Sequence, residues 1–197
     1  MKKWKIGLFI ILTVAVFTAC ASKATTESKT INDLTPEQTV QDAFDAVKQK
    51  DFDKFNQYMA NSSIFITEDA DSYNQLTNTE KKIMNELFLN FSYEISSTKI
   101  DGSKATINVK MTNTDYSNII TDLVKQSINS TFSGDEEDMD DDNSEELLLN
   151  LLSEANKSNS KVSSDLELKL NKTDTGWKID LDSKARNVLL GNLVDIF

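Results

Sequence analysis

Asp101-Gly102-Ser103-Lys104-Ala105-Thr106-Ile107-Asn108-Val109-Lys110-Met111 is the stretch that decides the fold. Ala105, Ile107, Val109 and Met111 alternate with Thr106, Asn108 and Lys110. That is the period of two of a strand with one buried face and one wet face. The Asp-Gly ahead of it favours a tight hairpin, because glycine adopts positive φ without a steric cost. Residues 92–100 and 104–112 are therefore expected as a hairpin. Downstream, Leu166, Leu168 and Leu170 repeat the alternation in a strand over 162–171. A turn at Asp174-Thr175-Gly176 leads to a returning strand at 177–181.

Outside the strands the period changes to that of helices. Thr35-Pro36-Glu37-Gln38 carries a capping residue, a proline at the first helical position and a glutamine that completes a capping box. Val40, Ala43, Phe44 and Val47 follow at helical spacing. Asp51 is placed to cap a shorter helix with Phe52, Phe55 and Met59 on one face. Residues 63–67 read as a short strand or an extended link. Thr77-Asn78-Thr79-Glu80 is a second capping box, opening a helix with Ile83, Met84, Leu87, Phe88 and Phe91 on one side. Further helices are expected over 116–132, 144–156 and 184–196. Helices grouped ahead of antiparallel strands indicate α+β, with N-terminal helices packed on a curved antiparallel sheet, a helical insertion at about 116–157 and a C-terminal helix.

Composition narrows the function. The 197 residues suit one domain, here 35–197. Lysine outnumbers arginine twenty to one, a coding bias of AT-rich genomes that points to a low-GC Gram-positive source. There is no histidine, which removes Ser-His-Asp and Cys-His catalysis and the usual zinc ligand sets. Net charge is -11, and becomes -14 once residues 1–19 are gone with Lys2, Lys3 and Lys5. A domain this acidic is repelled by nucleic-acid phosphates and by anionic headgroups alike, so no nucleic-acid partner is expected.

The first twenty residues have a logic of their own. A basic start (Lys2, Lys3, Lys5) precedes a mostly apolar run over residues 6–17. Twelve residues are too few for a spanning helix, which needs about 20, and fit the core of a signal peptide. Phe17-Thr18-Ala19-Cys20 then resembles the lipobox of bacterial lipoproteins, with Phe17 in place of the usual Leu, Val or Ile. The resemblance implies a diacylglyceryl group on the Cys20 sulfur and cleavage between Ala19 and Cys20. Cys20 is the one cysteine in the chain, so no internal disulfide competes for it. Residues 20–34 read as a lipidated polar tether. The expected location is the extracytoplasmic face of the cell membrane, with the lipid as the membrane contact.

A second resemblance concerns the domain. Leu34-Thr35-Pro36-Glu37 through Val40, Phe44, Lys50-Asp51-Phe52 and Tyr58-Met59 resembles the opening of small lipoproteins with a nuclear-transport-factor-2-like (NTF2-like, or cystatin-like) domain. Gly176-Trp177-Lys178-Ile179-Asp180 is similar to their last strand. Neither piece is a catalytic motif, so the resemblance implies a cone-shaped fold rather than an activity.

Several residues are candidates for chemistry. Enzymes of the family often place a carboxylate base in the cone with a tyrosine beside it. Asp42, Asp45, Glu94, Tyr58, Tyr93 and Tyr116 are the available types. Phe44, Phe52, Phe55, Phe88, Phe91 and Trp177 line a ligand cavity or, as aromatics at this spacing usually do, form core. Nine of the twelve residues 135–146 are acidic. A calcium loop begun at Asp138 would use Asp140 and Asp142, but Asn143 replaces the required glycine and Leu149 the bidentate glutamate, so no metal is expected. No cofactor is expected either. The leading expectation is a non-enzymatic binding module for a small molecule, a peptide or an envelope protein. The alternatives are a histidine-free enzyme with a buried carboxylate base, and an accessory envelope component without a ligand.

Overall fold

Thr35 starts the first helix as its neighbours require. Its hydroxyl accepts from Gln38 N–H at 3.2 Å, while Gln38 Oε1 accepts from Thr35 N–H at 3.1 Å. The computed structural model describes residues 30–60, 73–133 and 141–193. Helix α1 spans Pro36–Lys48 and α2 spans Phe52–Gln57, the latter capped by Asp51, whose carboxylate accepts from Lys54 N–H at 3.0 Å. Helix α3, Asn78–Leu87, opens on the second capping box, with Glu80 and Thr77 bonded reciprocally at 2.7 and 3.1 Å.

The hairpin follows as strands β1, Ser92–Asp101, and β2, Lys104–Thr114. Helices α4, Ile119–Ser133, and α5, Asp141–Lys157, separate it from strands β3, Lys161–Thr173, and β4, Gly176–Asp180. Helix α6, Ser183–Leu189, closes the described chain. The four strands form one curved antiparallel sheet in the order β1-β2-β3-β4. The fold is α+β, with the helical insertion between β2 and β3.

Register brings the apolar positions into rows. Ala105 pairs with Leu170, Ile107 with Leu168 and Val109 with Leu166, and Leu170 pairs onward with Ile179. A one-residue slip would turn every one of these side chains to water, so the alternation fixes the pairing. The rows pack on Val40, Ala43, Phe44 and Val47 of α1 and on Ala185, Val188 and Leu189 of α6. Full burial of each Val, Ile, Leu or Phe side chain among them stabilises the fold by about 1.5–3 kcal/mol. The opposite face carries Thr106, Asn108, Lys110, Asp165, Glu167 and Lys169 and stays wet.

Both hairpin turns, at Gly102 and at 174–175, lie at one end of the sheet. The α4–α5 excursion leaves from the other, beside the Thr114–Lys161 pair. Eleven paired β2 residues separate the two ends, a span of about 35 Å.

Three expectations change. The α3 pattern does not carry through Phe91: the helix stops at Leu87, and Phe91 enters the core from the link to β1. The last helix ends at Leu189 rather than running to 196, because Gly191 and Asn192 both take positive φ, 61° and 63°. Residues 194–197 lie outside the described residues. The stretch 31–34, read as tether, is part of the domain: Ile31–Asp33 form a 3-10 turn and Leu34 is buried. Gly176 makes room for that turn, since a Cβ there would meet the Ile31 carbonyl oxygen at 2.6 Å. The expected extended segment at 63–67 lies outside the described residues.

Candidate functional site

Cys20 and Ala19, with everything before residue 30, lie outside the described residues, as does the acidic run from 135 to 140. Among the described residues no helix is long and apolar enough to cross a membrane. None of them forms a group of three or more acidic or sulfur ligands able to hold a metal ion.

The candidate carboxylates and tyrosines divide into two sets. Asp42 and Asp45 stand one turn apart on α1, and each meets a tyrosine. Tyr93 donates its hydroxyl to Asp45 Oδ1 at 2.9 Å, with the Gln41 carbonyl at 3.3 Å. Lys48 Nζ lies 3.8 Å from the same Asp45 oxygen and 5.6 Å from the Tyr93 ring centroid. Tyr58, buried at the end of α2, is hydrogen-bonded to Asp42. Burial raises the pKa of Tyr58, and the Asp42 charge adds to it. Burial likewise raises that of Tyr93, helped by its bond to Asp45. Both phenols are thus held as proton donors to their carboxylates. The Asp45 side chain is 49% exposed, so its carboxylate is solvated rather than enclosed as a buried base would be. In this geometry the pairs tie α1 to β1 and to the end of α2.

Glu94 and Tyr116 are elsewhere. Glu94 lies opposite Lys110 on the wet face of the sheet. Tyr116 is fully buried at a polar junction that sequence reasoning missed. Asn156 of α5 is its centre. Asn156 Oδ1 accepts from Tyr116 Oη at 2.8 Å, Thr114 Oγ1 at 2.8 Å and Asn90 Nδ2 at 3.1 Å. Its Nδ2 donates to the Glu86 carbonyl at 3.0 Å and to Glu86 Oε2 at 2.7 Å. Beside it, buried Asn113 donates to the Leu87 and Leu189 carbonyls at 2.9 and 2.8 Å. This junction satisfies the C-terminal carbonyls of α3 and α6 and locks α5 to them. Burial pushes the Tyr116 phenol up to about 12.

The six aromatics are core. Phe44, Phe52, Phe55, Phe88, Phe91 and Trp177 are each at most 5% exposed, which assigns them to packing rather than to the wall of an open cavity. Phe44 meets Phe91 edge-on at 5.5 Å between centroids, and Phe52 meets Phe88 at 5.4 Å.

An open groove lies between α4 and α5, with a volume of about 260 Å³. Asp115, Asp122 and Glu154 line it, together with the edges of buried Ile119 and Leu151 and half-buried Ala155. Asp122 is bonded to Lys125 at 3.1 Å in a solvated pair. Asp115 accepts from Ser117 N–H at 3.1 Å and Asn192 Nδ2 at 3.3 Å. No basic residue lines the groove itself.

No protein-family model matches the chain, and no curated protein does. Among solved structures, the chain is similar to a candidate lipoprotein, YcdA, from Bacillus subtilis subsp. subtilis str. 168, at 19% identity and a TM-score of 0.39. The likeness covers 58% of this chain and 37% of that one, so it spans well under half of the neighbour's length.

Proposed function

We propose that this protein is a lipid-anchored lipoprotein of the cell envelope. In this reading it is cleaved before Cys20, held at the extracytoplasmic face by the lipid on Cys20, and carries a non-catalytic binding module on an NTF2-like scaffold. The observation that carries the reading is Cys20 itself, the sole cysteine, directly behind a basic start and a twelve-residue apolar run. Two acyl chains at about 0.8 kcal/mol per buried CH₂ hold such a protein without help from its surface.

The test is metabolic labelling with palmitate of the full chain and of Cys20→Ser in a bacterial host, followed by membrane fractionation. Labelled, membrane-bound wild type and an unlabelled, uncleaved Cys20→Ser are expected. A labelled Cys20→Ser, or an unlabelled wild type, overturns the reading.

A further inference from the structure

We infer that two copies of this chain pair edge to edge through the free half of β3, antiparallel, about a two-fold axis at Ser163. The inference goes beyond the proposed anchoring, does not depend on Cys20, and names a second copy as the partner.

The free half is a matter of strand lengths. Strand β3 has 13 residues, and β4 pairs only with Lys169–Thr173. Over Lys161–Leu168 the side of β3 away from β2 therefore carries no strand. Two bonds give the direction of the backbone groups there. Lys172 N–H donates to the Ser103 carbonyl, and the Ser160 carbonyl accepts from Asp115 N–H, so even-numbered residues turn toward β2. Odd-numbered residues turn away from it. The Asp165 carbonyl agrees, since it accepts from Lys184 Nζ at 3.3 Å on the outer side. The N–H groups of Ser163, Asp165 and Glu167 meet no partner among the described residues. Such an edge is a template for another strand.

The other edges of the sheet are closed or irregular. Ile179 N–H donates to the Tyr58 carbonyl, and the Ile179 carbonyl accepts from Ala60 N–H, both at 2.8 Å, which covers β4. On β1 a bulge between Ile95 and Ser97 interrupts the ladder, a device that discourages pairing at an edge.

Charge order selects a second copy over an unrelated strand. With Ser163 opposite Ser163 of the other copy, Lys161 stands opposite Asp165, and Asp165 opposite Lys161. All three side chains are exposed, and all lie on the wet face. Opposite charges directly across antiparallel strands favour pairing. Each of these pairs joins odd-numbered residues, so each exchanges backbone hydrogen bonds. The Asp165 carbonyl can keep Lys184 as well, because it has two lone pairs.

Neighbouring registers are worse. Setting Lys161 opposite Glu167 would bring Ser160 of one copy opposite Leu168 of the other. That place is taken, because Leu181 follows Asp180, which pairs with Lys169. A shift the other way sets Lys161 opposite Ser163 and loses the charge match. Helix α6 packs beneath β2 and β3, which leaves the plane of the sheet clear for the added strand.

The experiment uses the full chain in zwitterionic liposomes at about 0.15 M salt, with disulfide cross-linking after mild oxidation. Paired residues that exchange backbone bonds have Cα atoms about 5.5 Å apart, within disulfide reach. Ser163→Cys is therefore expected to link copy to copy at position 163, with the bond located by peptide mass spectrometry so that Cys20 does not confuse the reading. Asn171→Cys, exposed on the same strand but beside β4, should link at less than about a tenth of that rate. In the Ser163→Cys chain, Lys161→Glu or Asp165→Lys should each slow linking about fivefold, because each sets like charges opposite. The two together should restore the rate to within about twofold. Equal linking at 163 and 171, or no linking at 163, overturns the proposal. So does a double exchange that stays as slow as the single ones while circular dichroism shows an intact fold. The comparison of 163 with 171 stands whatever the charge variants do.

Discussion

Gly191 lies against the face of Tyr116 and accepts a hydrogen bond from the Tyr116 N–H at 2.7 Å. A Cβ at 191 would meet Tyr116 Cδ2 at 2.5 Å and the Thr114 carbonyl oxygen at closer range still. This contact closes the tail of α6 over the end of β2. It also yields a controlled comparison, because Gly102 has nearly the same φ, 60° against 61°, with nothing within 4 Å of its would-be Cβ. Gly102→Ala is expected to cost about 1 kcal/mol, the left-handed backbone penalty alone. Gly191→Ala should cost more than about 3 kcal/mol, because strain and overpacking add to it. Urea denaturation of the two variants separates the terms, and equal losses would refute the close packing.

Asn156 should be the most sensitive polar residue of α5. Asn156→Leu removes the acceptor that Tyr116 Oη and Thr114 Oγ1 share, leaving Tyr116 the Glu86 carbonyl at 2.9 Å and Thr114 the Asn90 amide at 3.0 Å, and removes two donations to Glu86. Unsatisfied buried groups cost about 1–3 kcal/mol each, so a loss of about 2–4 kcal/mol is expected. A double-mutant cycle of Asn156→Ala with Tyr116→Phe should show coupling above about 0.5 kcal/mol. Additive losses would mean that the two groups act separately.

The tyrosines predict alkaline sensitivity. Folding raises Tyr116 to about 12 from the 10.0 of the unfolded chain, and raises Tyr58, Tyr73 and Tyr93 as well. Between these values the folded state keeps protons that the unfolded state has lost, so stability falls as pH rises. The contribution is fully present below pH 10 and, for Tyr116, is lost between about pH 10 and 12. Tyrosinate absorbance at 295 nm should rise late and together with unfolding. Tyr116→Phe should flatten part of that decline, and an unchanged profile would count against its burial.

Thr77 caps α3 at an exposed position, so its contribution can be isolated. Thr77→Ala should lose about 1 kcal/mol, and Thr77→Asp should keep most of it. Thermal melting monitored by circular dichroism checks both.

Local physics made much of this fold legible from sequence. Both capping boxes, the Asp51 cap and the inward rows of β2 and β3 depend on neighbours within a few residues, and all are present as read. Phe91 misled because an aromatic at helical spacing does not disclose that the helix has already ended. Gly191-Asn192 was the available stop signal for α6, and a reading by apolar period alone passes over it. The Asn156 junction was not legible at all. Its members are separated by up to 70 residues, and asparagine, threonine and glutamate look like surface in any local window. The candidate pairs Asp42–Tyr58 and Asp45–Tyr93 were legible as residue types but not as partners, since their meeting depends on how α1 crosses the sheet.

The seat of Ile31 on Gly176 has a mechanical consequence. With the lipid on Cys20 as proposed, any pull on the chain ahead of the domain would reach it at the Ile31–Asp33 turn and pass to the β3–β4 hairpin on which that turn rests. The polar junction around Asn156 lies at the far end of the strands, outside this load path. Helices α4 and α5 leave the sheet beside the Thr114–Lys161 pair, at the end opposite to that point of load.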